Sequence, residues 1–67
     1  MPHIAITMYP GRNRAIKEAL ADKMQATLAE ELNLSKRDVS VSIEDIEKEK
    51  WDDEFEKIPK DTLFIHD

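Results

Sequence analysis

Apolar and polar residues alternate from the third position of the chain. Ile4, Ile6 and Met8 fall on one side, and His3, Ala5, Thr7 and Tyr9 on the other. A period of two predicts a half-buried strand. Pro10-Gly11 breaks it, as a turn dipeptide does. Gly11 is the only glycine in the chain, which marks a backbone position that other residues fit poorly. The period then lengthens. Ile16, Leu20, Met24, Leu28 and Leu32 recur every four residues, with Ala15, Ala19, Ala26 and Ala29 beside them. This spacing predicts an amphipathic helix of about five turns, with the intervening Lys, Glu, Asp and Gln facing water. Asn13 is its expected N-cap, and Asn33, which tolerates the left-handed conformation, its expected end.

Ser35-Lys36-Arg37-Asp38 has the spacing of a capping box with Asp in place of Glu, so a short helical turn is expected there. Residues 39–46 alternate again, with Val39, Val41 and Ile43 set against Ser40, Ser42 and Glu44. Two strands joined by a long helix make a β-α-β unit with parallel strands and a right-handed crossover. After a charged connector, Trp51, Phe55 and Ile58 fall at i, i+4 and i+7 behind the acidic Asp52, Asp53 and Glu54. Acidic residues suit the first turn of a helix, so a short helix is expected, ended by Pro59. Leu63-Phe64-Ile65 is a last apolar patch, at most a strand fragment. The fold class is α+β: a β-α-β protomer with parallel strands, a short C-terminal helix and a tail.

Length changes this picture. Sixty-seven residues make a single domain, 1–67, that as a monomer would bury only about 60% of its unfolded surface. There is no cysteine to staple it. Two strands and one helix also leave sheet edges unpaired and Trp51, Phe55 and the 63–65 patch without obvious cover, which invites a partner. Two copies side by side give a four-stranded sheet with two helices on one face. A homo-oligomer sharing one sheet is therefore expected. The face opposite the helix, with His3, Ala5, Thr7, Tyr9, Ser40, Ser42 and Glu44, is mostly polar or small, which favours a dimer over a hexamer that would bury it. The 63–65 patch is expected to dock on the partner.

A net charge of −5 with 37% charged residues describes a solvated surface without the basic face that nucleic-acid binding needs. No run approaches the roughly 20 apolar residues of a membrane span, and the start lacks the charged and apolar regions of a signal peptide. The expected setting is the cytoplasm. No cofactor is expected. No metal is expected either, because His3 and His66 would meet only if the tail folded back. His3, on the helix-free face, reads as an interface or surface residue, and His66 as a solvated one.

The candidate chemistry sits at the start. If Met1 is removed, Pro2 becomes the N-terminus and carries a free secondary amine; if Met1 stays, Pro2 is an amide with neither a donor nor basicity. The Met1-Pro2 start, a strand, the Gly11-Arg12 turn, an amphipathic helix, a second alternating strand and Trp51 shortly after it together resemble the 4-oxalocrotonate tautomerase family. The resemblance runs from Pro2 to about Trp51. The opening Pro2-His3-Ile4 and the tryptophan are most similar to the dimeric branch of its small members. The resemblance implies a β-α-β protomer assembled as a dimer or hexamer, with Pro2 as catalytic base. It implies further that Arg12 binds a substrate carboxylate and that Trp51 stands where the better-known members place a pocket phenylalanine. A second arginine of those members aligns with Ser40, which places Ser40 at the substrate but without the charge to hold a second carboxylate.

Tautomerisation moves a proton between a carbon beside a carbonyl and another carbon or oxygen, and needs a base that is unprotonated near neutrality. An ordinary α-amino group titrates at about 7.7–8.0, and a prolyl amine is more basic. Apolar walls and a nearby guanidinium both disfavour its cation. Arg12 is suited to bidentate hold of a carboxylate and to charge developing on an enolate. Trp51 is suited to stacking and to excluding water. The sequence therefore reads as a tautomerase acting on a small, acidic carbonyl compound. The competing reading is a small acidic dimeric interaction module in which Pro2 is inert.

Overall fold

Strand β1 is His3–Met8 and strand β2 is Ser40–Asp45. The two pair in parallel, His3 against Ser40 through Met8 against Asp45, in a computed structural model that describes residues 1–66. Helix α1, Arg14–Leu32, makes the crossover. Helix α2, Trp51–Glu56, follows β2. Short 3-10 turns at Lys36–Asp38, Lys48–Lys50 and Lys60–Thr62 fill the connections. The chain is thus the expected β-α-β protomer with a short C-terminal helix and tail. Ser40 N–H donates to the Pro2 carbonyl at 3.2 Å and Ile46 N–H to the Met8 carbonyl at 2.8 Å, which extends the ladder by one bond at each end.

Both ends of α1 form as their residues dictate. The Asn13 side chain accepts from Ile16 N–H at 3.0 Å, which satisfies one of the orphan donors of the first turn. Asn33 adopts φ 57°, ψ 50°. Leu34 N–H then bonds back to the Ala29 carbonyl at 2.8 Å and Asn33 N–H to Glu30 at 3.3 Å, the paired closure that a left-handed residue makes possible. Gly11 has φ +131°, and a Cβ there would meet nothing within 4 Å. The glycine is required by its backbone angle and not by crowding. Around Ser35 the turn forms, but without a side-chain cap.

The period-four stripe along α1 does not face one way. Four residues advance about 400° around the axis, so each step drifts by about 40° and Ile16 and Leu32 end up about 160° apart. The middle of the stripe, Leu20, Met24 and Leu28, is half-buried, whereas Ile16 is 51% and Leu32 54% exposed. The places that the stripe leaves on the sheet-facing side are taken by Lys17 and Gln25, which the polar pattern had assigned to water. Lys17 Nζ lies 2.8 Å from Asp45 Oδ1, with only 24% of the lysine side chain exposed. Gln25 Nε2 donates to the carbonyls of Lys36, at 2.8 Å, and Val39, at 3.0 Å. One pin thus ties α1 to the end of β2 and the other to its beginning.

The core is thin. Among the described residues, Ala29, Val39 and Ile46 are its buried apolar side chains, and no large side chain is fully buried. Ile4, Ile6, Met8, Val41 and Ile43 are half-buried on the α1 side of the sheet. Leu63-Phe64-Ile65 forms no strand: Leu63 follows the 3-10 turn and is half-buried, while Phe64 and Ile65 are exposed.

Candidate active site

Pro2 directly precedes β1 and is half-buried, while Met1 ahead of it is 98% exposed. Ser40 is its neighbour across the ladder, through the backbone bond described above. The same end of the sheet carries a contact that alternation alone does not disclose. The His3 ring lies across β2 with Nδ1 2.6 Å from Ser40 Oγ and Nε2 2.9 Å from Ser42 Oγ. His3 pairs with Ser40, and Ala5 with Ser42, so the two hydroxyls are spaced two residues apart on the helix-free face, and one imidazole spans them. Both ring nitrogens are thus engaged, with donor and acceptor roles that follow the ring's tautomer. The contact depends on the parallel register that sets His3 opposite Ser40, which alternation along either strand does not supply. Ser40 is therefore held by His3 and is not a free hydroxyl.

Trp51 and Arg12 lie at the other end. The Tyr9 and Trp51 rings meet edge to face, with centroids 5.0 Å apart and planes at 80°. Thr7, Trp51, Glu54, Phe55 and Ile58 enclose a cavity of about 60 Å³. Thr7 belongs to the helix-free face, so α2 reaches over that face at its Tyr9 end. Trp51 and Phe55, expected to lack cover in the protomer, are half-buried there. Arg12 is in the exposed loop between β1 and α1 and has no ion-pair partner among the described residues; its neighbour Arg14 reaches Glu18 at 3.8 Å.

The protomer thus brings Pro2 and Ser40 together at one end of β1, and Tyr9 and Trp51 together at the other, from which the loop that carries Arg12 leaves. It does not bring the two groups to each other. β1 runs His3–Met8, and five steps of about 3.3 Å separate its ends by about 17 Å, with Pro2 and Tyr9 beyond them. A single small substrate does not span that distance. Among the described residues no cluster of three or more His, Asp or Glu side chains is placed to hold a metal ion, and no helix is long and apolar enough to cross a membrane.

Residues 1–52 match the model of a protein family described as "Tautomerase enzyme". A protein described as "Probable tautomerase" from Xylella fastidiosa (strain 9a5c) is 39% identical over 51 residues, which cover 76% of this chain and 62% of that protein. The chain therefore matches somewhat less than two thirds of the length of that relative. No solved structure matches the chain. The matched segment holds Pro2, both strands, α1 and Trp51, and the chain belongs to the tautomerase family.

Proposed function

We propose that the chain is a tautomerase whose active site is shared between two copies, with the Pro2 amine of one facing Arg12 and Trp51 of the other. The observation that carries this reading is the placement of Pro2 and Ser40 at one end of β1 and of Arg12, Tyr9 and Trp51 at the other. A second copy with its β1 running antiparallel beside the first apposes opposite ends, and a two-fold axis through the sheet makes two equal sites. β1 has one edge that β2 does not pair, and unpaired edges are templates for this kind of addition. The thin core supports it as well. The reach of α2 over the helix-free face favours a dimer over a hexamer, because a hexamer would have to use that face.

In this site the Pro2 secondary amine, freed by loss of the exposed Met1, takes a proton from the enol or from the carbon next to the carbonyl and returns it to the other atom. Its ring restricts the orientations lost on reaction. Arg12 holds the substrate carboxylate and faces the charge that develops on the enolate. Trp51 stacks on the conjugated part of the substrate and excludes water, with Tyr9 fixing its ring. Ser40, tied to His3, presents a neutral group where a second arginine would select dicarboxylates. The substrate class is a small monocarboxylic 2-oxo acid or its enol.

Mixed dimers test this reading. One copy is extended at its N-terminus so that Pro2 remains an amide; the other carries Arg12→Ala. Each alone is expected to be nearly inactive on the enol of an aryl-substituted 2-oxo acid. Mixed in equal amounts, half the dimers are heterodimers with one intact site of two, so about a quarter of wild-type activity returns. No recovery on mixing would sink the shared site. Equal turnover by wild-type and extended chains would sink the proline mechanism and leave the interaction-module reading in its place.

A further inference from the structure

The C-terminal segment carries an apolar knob and an apolar hole side by side. Phe64 is 94% and Ile65 89% exposed. The hole is a groove of about 650 Å³ between α2 and the tail, with Phe55, Ile58 and Leu63 as its apolar lining. Its rim is charged in two halves. Asp52 and Glu56 come from α2, where a spacing of four puts them on one face. Lys60 and His66 come from the tail side, and the His66 ring lies against Phe55 with centroids 4.9 Å apart. Phe64 follows Leu63 directly but does not line this groove, and its side chain is exposed to solvent.

We infer that the groove receives Phe64 and Ile65 of a second copy of this chain, reciprocally, so that the two tails cross and each fills the hole of the other. Three features select a second copy over any other occupant. A two-fold contact requires the same patch to be complementary to itself, and this patch supplies both knob and hole. Its rim satisfies the same condition, since a two-fold sets the acidic α2 side of one copy against Lys60 of the other. A site of about 650 Å³ also has room for a phenylalanine and an isoleucine side chain.

The inference rests on the pairing of two copies proposed above and uses the same axis. A two-fold perpendicular to the shared sheet leaves both α1 helices on one face and both α2 helices on the other. The two tails, which follow α2, then lie on that same face of the shared sheet. The crossing closes the dimer from the side opposite α1 and covers Phe64 and Ile65, which are exposed in the protomer.

Dimer dissociation, measured by sedimentation against concentration, tests it. Replacing both knob residues, Phe64→Ser with Ile65→Ser, is expected to weaken the dimer by at least about a hundredfold. Far-UV circular dichroism should not change, because both side chains are exposed in the protomer. Glu56→Lys and Lys60→Glu should each weaken the dimer, and the double variant should recover it. The chain has no cysteine, so a mixture of Phe64→Cys and Ile58→Cys chains gives a clean readout: on oxidation a disulfide should form between different copies. A wild-type dimer whose dissociation is untouched by the serine variant, or chains that fail to cross-link, would overturn the tail exchange and leave the β1 pairing standing. A wild-type chain that stays monomeric at every concentration would overturn both. Sedimentation of the chain with phosphatidylcholine vesicles, lost in the serine variant, would overturn it in favour of a lipid surface.

Discussion

The amide of Gln25 reaches two carbonyls at once, Lys36 at 2.8 Å and Val39 at 3.0 Å, and so fixes α1 to the point where the chain enters β2. Those carbonyls belong to a 3-10 turn and the residue after it; the Lys36 carbonyl also accepts from Val39 N–H at 3.0 Å, the bond that closes the turn. The position also sets the register of β2, because Val39 is buried and Ser40, next in line, pairs with His3. A glutamine on the inner side of an amphipathic helix is thus a fold determinant here.

Gln25→Leu keeps the bulk and removes the donor. Leaving the part-buried Val39 carbonyl without its donor costs about 1–3 kcal/mol, and the variant should lose that much stability in urea unfolding. Gln25→Glu should be no better, since a carboxylate cannot donate to either carbonyl. A Leu variant as stable as wild type would show that water replaces the amide at no cost.

Asn33 gives a second, backbone-based expectation. Its φ of 57° is the left-handed region, which costs a residue with a Cβ roughly 1–2 kcal/mol. Asn33→Gly should therefore leave stability level or slightly raised, whereas Asn33→Val should lower it by about 1–2 kcal/mol. The two variants must separate in thermal melts; identical melting temperatures would mean that the helix end has re-formed around another residue.

Tyr9 and Trp51 allow an optical check. Trp51 is the only tryptophan, and an edge-to-face pair of this kind contributes about 0.5–1.5 kcal/mol beyond burial. Tyr9→Leu should move Trp51 emission to the red and weaken its near-UV dichroism, with a stability loss in that range. Tyr9→Phe should leave both nearly unchanged, because the contact uses the ring and not the hydroxyl.

These residues mark where the sequence was readable. Alternation at His3–Met8 and 40–45, the caps Asn13 and Asn33, and the turn at Gly11 are local properties, each set by a few neighbours, and they gave the β-α-β order and its ends. Trp51 and Phe55 pointed correctly to a short helix. What periodicity did not yield were contacts that depend on how elements dock. A stripe of period four has no single direction on a helix of 3.6 residues per turn, so the pattern places Ile16 and Leu32 inward and Lys17 and Gln25 outward, the reverse of the structure. The bridge from His3 to Ser40 and Ser42 needs the β1–β2 register, which no local pattern contains. The candidate site follows from the sequence as a proposed set of residues and not as a place. Pro2, Ser40, Arg12 and Trp51 follow from the family resemblance, while their division between the two ends of β1 emerges only once β1 is seen as one straight strand.

The decisive chemical prediction concerns Pro2. In the chain that begins with Met1, the Pro2 nitrogen is an amide and carries no basic lone pair. Removal of Met1 creates the base without altering any side chain. General base catalysis contributes typically about 10²–10⁴-fold, so Met-free protein should exceed Met-retaining protein in kcat/KM by at least about that factor on an enolic 2-oxo acid. The pH profile of the Met-free form should rise through one ionisation, since the neutral amine is the active form. In the proposed shared site, half-burial at the head of β1 and the guanidinium of Arg12 would both disfavour the cation, so that ionisation should lie below that of an exposed prolyl amine. Arg12→Ala removes one of the two effects and should move the rise to higher pH, while hurting carboxylate substrates more than neutral ones. Pro2→Ala keeps a primary amine and should retain part of the activity, with the rise displaced. A flat profile, or equal rates with and without Met1, would remove Pro2 from the mechanism; a rise unaffected by Arg12→Ala would keep Pro2 and place Arg12 away from it.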